Sequence, residues 1–220
     1  LFRSGVTAPA NATQVYAQIG LGKDALAFNT QQEFQILQAY FKPYAAVRHV
    51  HYGAMAANML RPSLDVSQVQ SISLTVYEEA TIYCGNRAPQ TPLQAQFSLS
   101  FGLAAMLRWG RLDPWVYREP QFHDPELGRL ESCIKIAVEP TWTERQQRAA
   151  RVRIECKDGH VREQEITAVL GDIQMPFTDE ALLAKFMSYG EGTLTSAEAA
   201  NWAQKLINGS LESHPFPFWK

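Results

Sequence analysis

FKPYAAVRHVHYGAMAANML, residues 41–60, joins a cationic run to an apolar one. Lys42, Arg48, His49 and His51 fall close together and are followed at once by small apolar residues and Met. Pro43 forbids a regular helix at its own position, so residues 34–46 read as an extended, edge-like segment. A helix is expected from about Arg48 to Leu60, stopping at Pro62. On that helix His51 lies three residues from Arg48, on the same face, while His49 points elsewhere. Arg presents a rigid fork for a carboxylate. His can give or take a proton near neutral pH, and Lys can act as a point charge or, when desolvated, as a base. Residue types alone also fit a solvated helix start, because charged surfaces and functional sites look alike in sequence.

Working outward, Val69–Val76 alternates, with Ile72, Leu74 and Val76 on one face and Val69, Ser71, Ser73 and Thr75 on the other, which predicts a half-buried strand. Residues 78–92 read as a connecting segment, in which Arg87 is a second possible anion ligand. Thr91–Trp109 reads as one helix, capped by Thr91 with Pro92 at its first position. Gln96 and Ser98 are polar positions on an otherwise apolar helix, so they need partners or mark a polar site. Asp113–Trp115 reads as the start of a short helix, and Asp124-Pro125-Glu126 opens another with Asp at the cap and Pro at the first position, which makes Asp124 a cap. Ser132–Val138 is expected as a strand. Residues 150–156 and 161–167 are expected as strands joined by the Asp158-Gly159 turn.

Residues 172–177 read as a linker. Thr178 caps a helix to about Tyr189, and Thr195 with Glu198 forms a capping box for a last helix to Ile207. Toward the chain start, residues 1–9 read as a helix tail and residues 10–31 as a surface loop with a short helix. The Gly20-Leu21-Gly22 stretch lacks the context of a phosphate loop. The apolar end, Phe216-Pro217-Phe218-Trp219, is expected to need a covering surface.

Composition narrows the class. The 220 residues are 46% hydrophobic and 19% charged, with 20 basic and 22 acidic residues and a net charge of −2. That is the profile of a folded globular protein, and the order of the elements above makes it α+β, with an α+β middle at about 35–172 between helical pieces. The charges are mixed without a basic stripe, so no nucleic-acid partner is expected. No apolar run has the length of a membrane span, and no cleavable signal opens the chain. Cys84, Cys133 and Cys156 are odd in number and lack metal spacing, which fits free thiols in a cytoplasmic protein and no metal centre. The chain begins Leu1-Phe2-Arg3, and we expect it to be a piece of a longer or cleaved chain.

The order of these pieces resembles the C-terminal half of the MmgE/PrpD family, which includes 2-methylcitrate dehydratase, cis-aconitate decarboxylase and iminodisuccinate epimerase. The resemblance rests on SGVTAP at 4–9, KPYAAVRHVH at 42–51, TPLQAQFSL at 91–99, DPELGRL at 124–130, the strand-DG-strand hairpin and LLAKF at 182–186. It implies a small lid domain at 35–174, with residues 1–34 and 175–220 belonging to a mainly helical domain. It also implies an N-terminal helical half, as a missing segment or a separate chain, that supplies the other wall of the cleft. The implied activity is that of a cofactor-independent lyase acting on a small polycarboxylate, with an isomerase, a decarboxylase or a non-catalytic binding subunit as alternatives. A homodimer is implied. Residue by residue, the resemblance makes His51 and Lys42 catalytic and Arg48, Tyr44, Gln96 and Ser98 substrate-binding. Val47 stands where many members have Cys and decarboxylase-like members have His, and Ala45 replaces a usual Pro.

Overall fold

VQSISLTV at Val69–Val76 forms the strand β1 on which the sheet is built. The structure is a computed structural model of the chain and describes residues 39–207. Ile72, Leu74 and Val76 are buried as the alternation requires, but so is Val69. A register shift between Val69 and Ser71 on the β3 side explains this, because an extra residue in the ladder flips the face of what precedes it. β2 (Ile134–Val138) pairs parallel to β1, β3 (Ala150–Cys156) pairs antiparallel on its other side, and β4 (Val161–Ile166) closes the order β2-β1-β3-β4. The β3–β4 hairpin turns through Gly159 at φ +82, with the Asp158 carboxylate accepting from the His160 amide at 3.0 Å. The edge strand β4 is largely exposed and carries Arg162, Glu163 and Glu165, charges that discourage further strand pairing.

Helix α1 (Arg48–Leu60) packs against β3, β4 and a second helix. Its inner face is made of small residues, Gly53, Ala54, Ala56 and Ala57, all buried. A Cβ on Gly102 of the partner helix would lie 2.2 Å from Val50 Cγ1, so this crossing is close enough to require glycine. Between β1 and β2 the chain forms α2 (Glu78–Cys84), α3 (Pro92–Gln96), α4 (Leu99–Trp109) and α5 (Pro125–Ser132). After β2 come α6 (Pro140–Glu144), α7 (Asp179–Gly190) and α8 (Ser196–Ile207). The fold of the described residues is therefore α+β, with eight α-helices and one mixed sheet. No described helix is long and apolar enough to cross a membrane.

Three local expectations change. The single helix expected over Thr91–Trp109 is two, because the Ser98 hydroxyl accepts from the Phe101 amide at 3.2 Å and starts α4 anew. The connecting segment at 78–92 opens with α2, whose first turn carries Glu78 and Glu79 where the helix dipole favours them. Helix α6, capped by Glu139 with Pro140 at its first position, was not anticipated. The caps of the last helices hold: the Ala181 amide donates to Thr178 Oγ at 3.2 Å, and Thr195 and Glu198 form the reciprocal box. The readings at 1–9, 10–31 and 216–219 lie outside the described residues.

Candidate functional site

Residues 40–47 form a strap that runs into α1 and is fastened from several elements at once. Phe41 N donates to Gly171 O at 3.1 Å, Ala45 N to Leu112 O at 2.8 Å, and Val47 N to Gln96 O at 2.9 Å. Tyr117 Oη donates to Ala45 O at 2.8 Å. Pro43 has no amide to donate and leaves no orphan in this pattern. Gly171, at φ +94, meets the strap so closely that a Cβ there would lie 1.9 Å from Phe41 O.

His51 is fully buried beneath the strap, with Nε2 3.1 Å from Ala46 O. A carbonyl only accepts, so Nε2 carries the hydrogen and Nδ1, which has no partner, holds the lone pair. Burial pushes the imidazole pKa down to about 4, which leaves it neutral at neutral pH. The Tyr44 ring meets it edge-on at 5.5 Å.

Above the strap lies a cleft of about 460 Å³ whose walls include Lys42, Tyr44, Val47, Gln96, Lys185 and Tyr189. No carboxylate lines it. Lys42 is exposed on the rim and Lys185 is half-buried, and neither has an acidic partner among the described residues. Burial lowers the Lys185 pKa, and its ammonium stands 5.0 Å over the Tyr189 ring. Burial raises Tyr44 to about 12, so its hydroxyl is a donor at neutral pH. Val47, at the cleft wall, is also the N-cap of α1 and gives that helix no side-chain cap.

Arg48 lies elsewhere. It lines a separate cleft of about 600 Å³ together with Asp172, Glu79 and Arg148. Its guanidinium forms an ion pair with Asp172, donates to Tyr52 Oη at 3.2 Å and stands 4.2 Å over the Tyr40 ring. Asp172 in turn accepts from Val169 N at 3.1 Å. The second arginine of that cleft, Arg148, faces Glu79 at 3.6 Å. Both arginines there already have counter-charges, unlike the two lysines.

The structure thus brings Lys42, Tyr44 and Gln96 together on the cleft wall and leaves Arg48, His51 and Ser98 out of its lining, with His51 behind it against the Tyr44 ring. The expected Arg48–His51 pair shares no hydrogen bond, because the first turn of α1 sends one outward to Asp172 and the other inward to Ala46. Ser98 is fully buried, and its hydroxyl donates to Asn86 O at 2.7 Å as well as capping α4. His49 points away as expected, to Tyr77 Oη at 2.5 Å. Arg87 donates to the Glu131 carbonyl at 3.2 Å. Among the described residues no group of His, Cys, Asp and Glu could hold a metal ion.

Two residues escaped the sequence reading. Lys185 stands inside LLAKF, and a lone cation in an otherwise apolar helical stretch was its signal. Asp172 falls in the stretch that reads as a linker, although Gly171-Asp172 directly after a hairpin marks a fixed turn. No curated protein matches the chain. The family model of the MmgE/PrpD C-terminal domain matches residues 44–208, which takes in Tyr44, Val47, Gln96 and Lys185 of the lysine cleft. Residues 44–47 of the strap, the split helix behind it and α7 fall within that match, with Lys42 just before it, and the chain belongs to the MmgE/PrpD family through its C-terminal domain.

Proposed function

We propose that this chain is the lid-bearing part of a cofactor-independent lyase, similar to 2-methylcitrate dehydratase, acting on a small polycarboxylate. One observation carries the reading. Three motifs far apart in sequence, 42–51, 91–99 and 182–186, meet at one cleft that holds two ammonium groups and no acid. Uncompensated cations in a partly desolvated cleft favour an anion. Membership in a family that is generally enzymatic supports a catalytic use of that anion.

In this reading Lys42 stabilises the charge that spreads onto a substrate carboxylate as a proton leaves the adjacent carbon and hydroxide departs from the next, giving a C=C bond. The Tyr44 hydroxyl and the Gln96 amide orient the same acid. His51, neutral and bonded to Ala46 O, keeps the strap in place rather than exchanging a proton, and Arg48 does the same from outside through Asp172. An N-terminal helical domain supplies the proton acceptor, and the enzyme is a homodimer. Val47 has no proton to exchange, which weighs against decarboxylation by a side chain at that position.

The test is turnover by the full-length protein of 2-methylcitrate, cis-aconitate and iminodisuccinate, followed by product analysis. Water loss from the hydroxy acid is expected, with Lys42→Ala slowing it roughly 10²–10³-fold, the scale for removing one preorganised donor at developing charge. Unchanged rates in Lys42→Ala, or no turnover of any of the three acids, would sink the reading.

A further inference from the structure

We infer that Lys185 is a specificity-determining residue, the one that takes a second carboxylate and makes the cleft select acids with two carboxylates over acids with one. This rests on the reading of the cleft as an anion site. Lys185 and Tyr189 are four residues apart on α7, hence on one face, and both line the cleft. The Tyr189 ring orients the ammonium without neutralising it.

The helix is latched in that position. Ser188 Oγ donates to Asp113 Oδ2 at 2.7 Å, and the buried Asp113 also accepts from Arg111 Nε at 2.6 Å and Trp115 N at 2.9 Å. Arg111 reaches on to Glu191 at 2.7 Å, just past the end of α7. The same segment, 111–115, accepts the Ala45 amide of the strap through Leu112 O at 2.8 Å. The strap that carries Lys42 and the helix that carries Lys185 are therefore referenced to one rigid piece of chain. Two cations on two walls, that of Lys185 held over the Tyr189 ring, match two carboxylates of one small molecule, and a single carboxylate leaves one ammonium uncompensated.

The experiment titrates the full chain with succinate and with monomethyl succinate, which keeps the skeleton and removes one charge. Binding is read from the unfolding midpoint and by calorimetry. The wild type is expected to prefer succinate. Lys185→Gln is expected to weaken succinate roughly 10–100-fold, the scale for losing one charge-assisted hydrogen bond, and the monoester much less, because Lys42 remains to take its single carboxylate. Lys185→Arg keeps most of the preference, and Ser188→Ala, which loosens the latch but keeps the charge, lowers it partway. Equal weakening of both ligands in Lys185→Gln, or no weakening, overturns the role of Lys185 and leaves the anion site standing. Failure of the wild type to bind either ligand overturns the anion site itself.

Discussion

At the scale of single residues, His51 shows how position overrides residue type. In sequence it looked like a proton shuttle beside Arg48. In the fold it is an imidazole with no exposure, one nitrogen on Ala46 O and the other without a partner. Its pKa falls from the ordinary 6.5 to about 4 because burial penalises the charged form. The unfolded chain therefore binds a proton below about pH 6.5 that the folded chain refuses until about pH 4. Stability from this group is present at neutral pH and is lost as the pH falls through that window, on the order of 3 kcal/mol in full. Denaturant titrations of wild type and His51→Gln between pH 7 and pH 4 test this. The wild type should lose stability more steeply, and parallel curves would remove His51 as the cause. Helical spacing separates His49 and His51 onto different faces of α1, but no local pattern says which of those faces the strap covers. The apolar small residues after His51 placed the helix correctly but said nothing of which turn dives under the strap.

At the scale of elements, the crossing of α1 and α4 fixes where the strap can enter. The crossing depends on Gly102, whose missing side chain makes room for Val50. Gly102→Ala would place a Cβ 2.2 Å from Val50 Cγ1, and such overpacking costs about 1–3 kcal/mol. Val50→Ala alone costs the burial of its methyl groups, yet in the Gly102→Ala background it should restore part of the lost stability. A double-mutant cycle by chemical denaturation checks this, and additive losses would show that the two helices do not meet as closely as described.

The elements themselves were legible where periodicity or capping is local. The Asp158-Gly159 hairpin, the Thr178 cap and the Thr195–Glu198 box read directly from the chain. Where the deciding partner is remote, legibility ended. Ser98 breaks the helix because its hydroxyl has Asn86 O within reach, and Val69 turns inward because β3 shifts register beside it.

At the scale of the molecule, what sequence could not show is that the cations of residues 42–51 part company. One helical turn sends Arg48 to Asp172 in one cleft, while Lys42, before the turn, joins Lys185 from α7 in another. The separation predicts how the whole chain responds to an anion. A ligand that binds only the folded state raises stability by RT ln(1 + [L]/Kd), about 2.7 kcal/mol at a hundredfold excess over Kd. Citrate should therefore raise the unfolding midpoint of the wild type. The shift should shrink as sodium chloride rises from about 0.1 M to 1 M, because the screening length falls from about 10 Å to about 3 Å and Lys42 stands on an exposed rim. Lys42→Gln should reduce the citrate shift and flatten its salt dependence, since the charge being screened is gone. A citrate shift indifferent to both salt and Lys42→Gln would mean that the anion sits elsewhere. The compensated arginine cleft would then be the place to look, because citrate there must compete with Asp172 for Arg48, and Asp172→Asn would enlarge the shift.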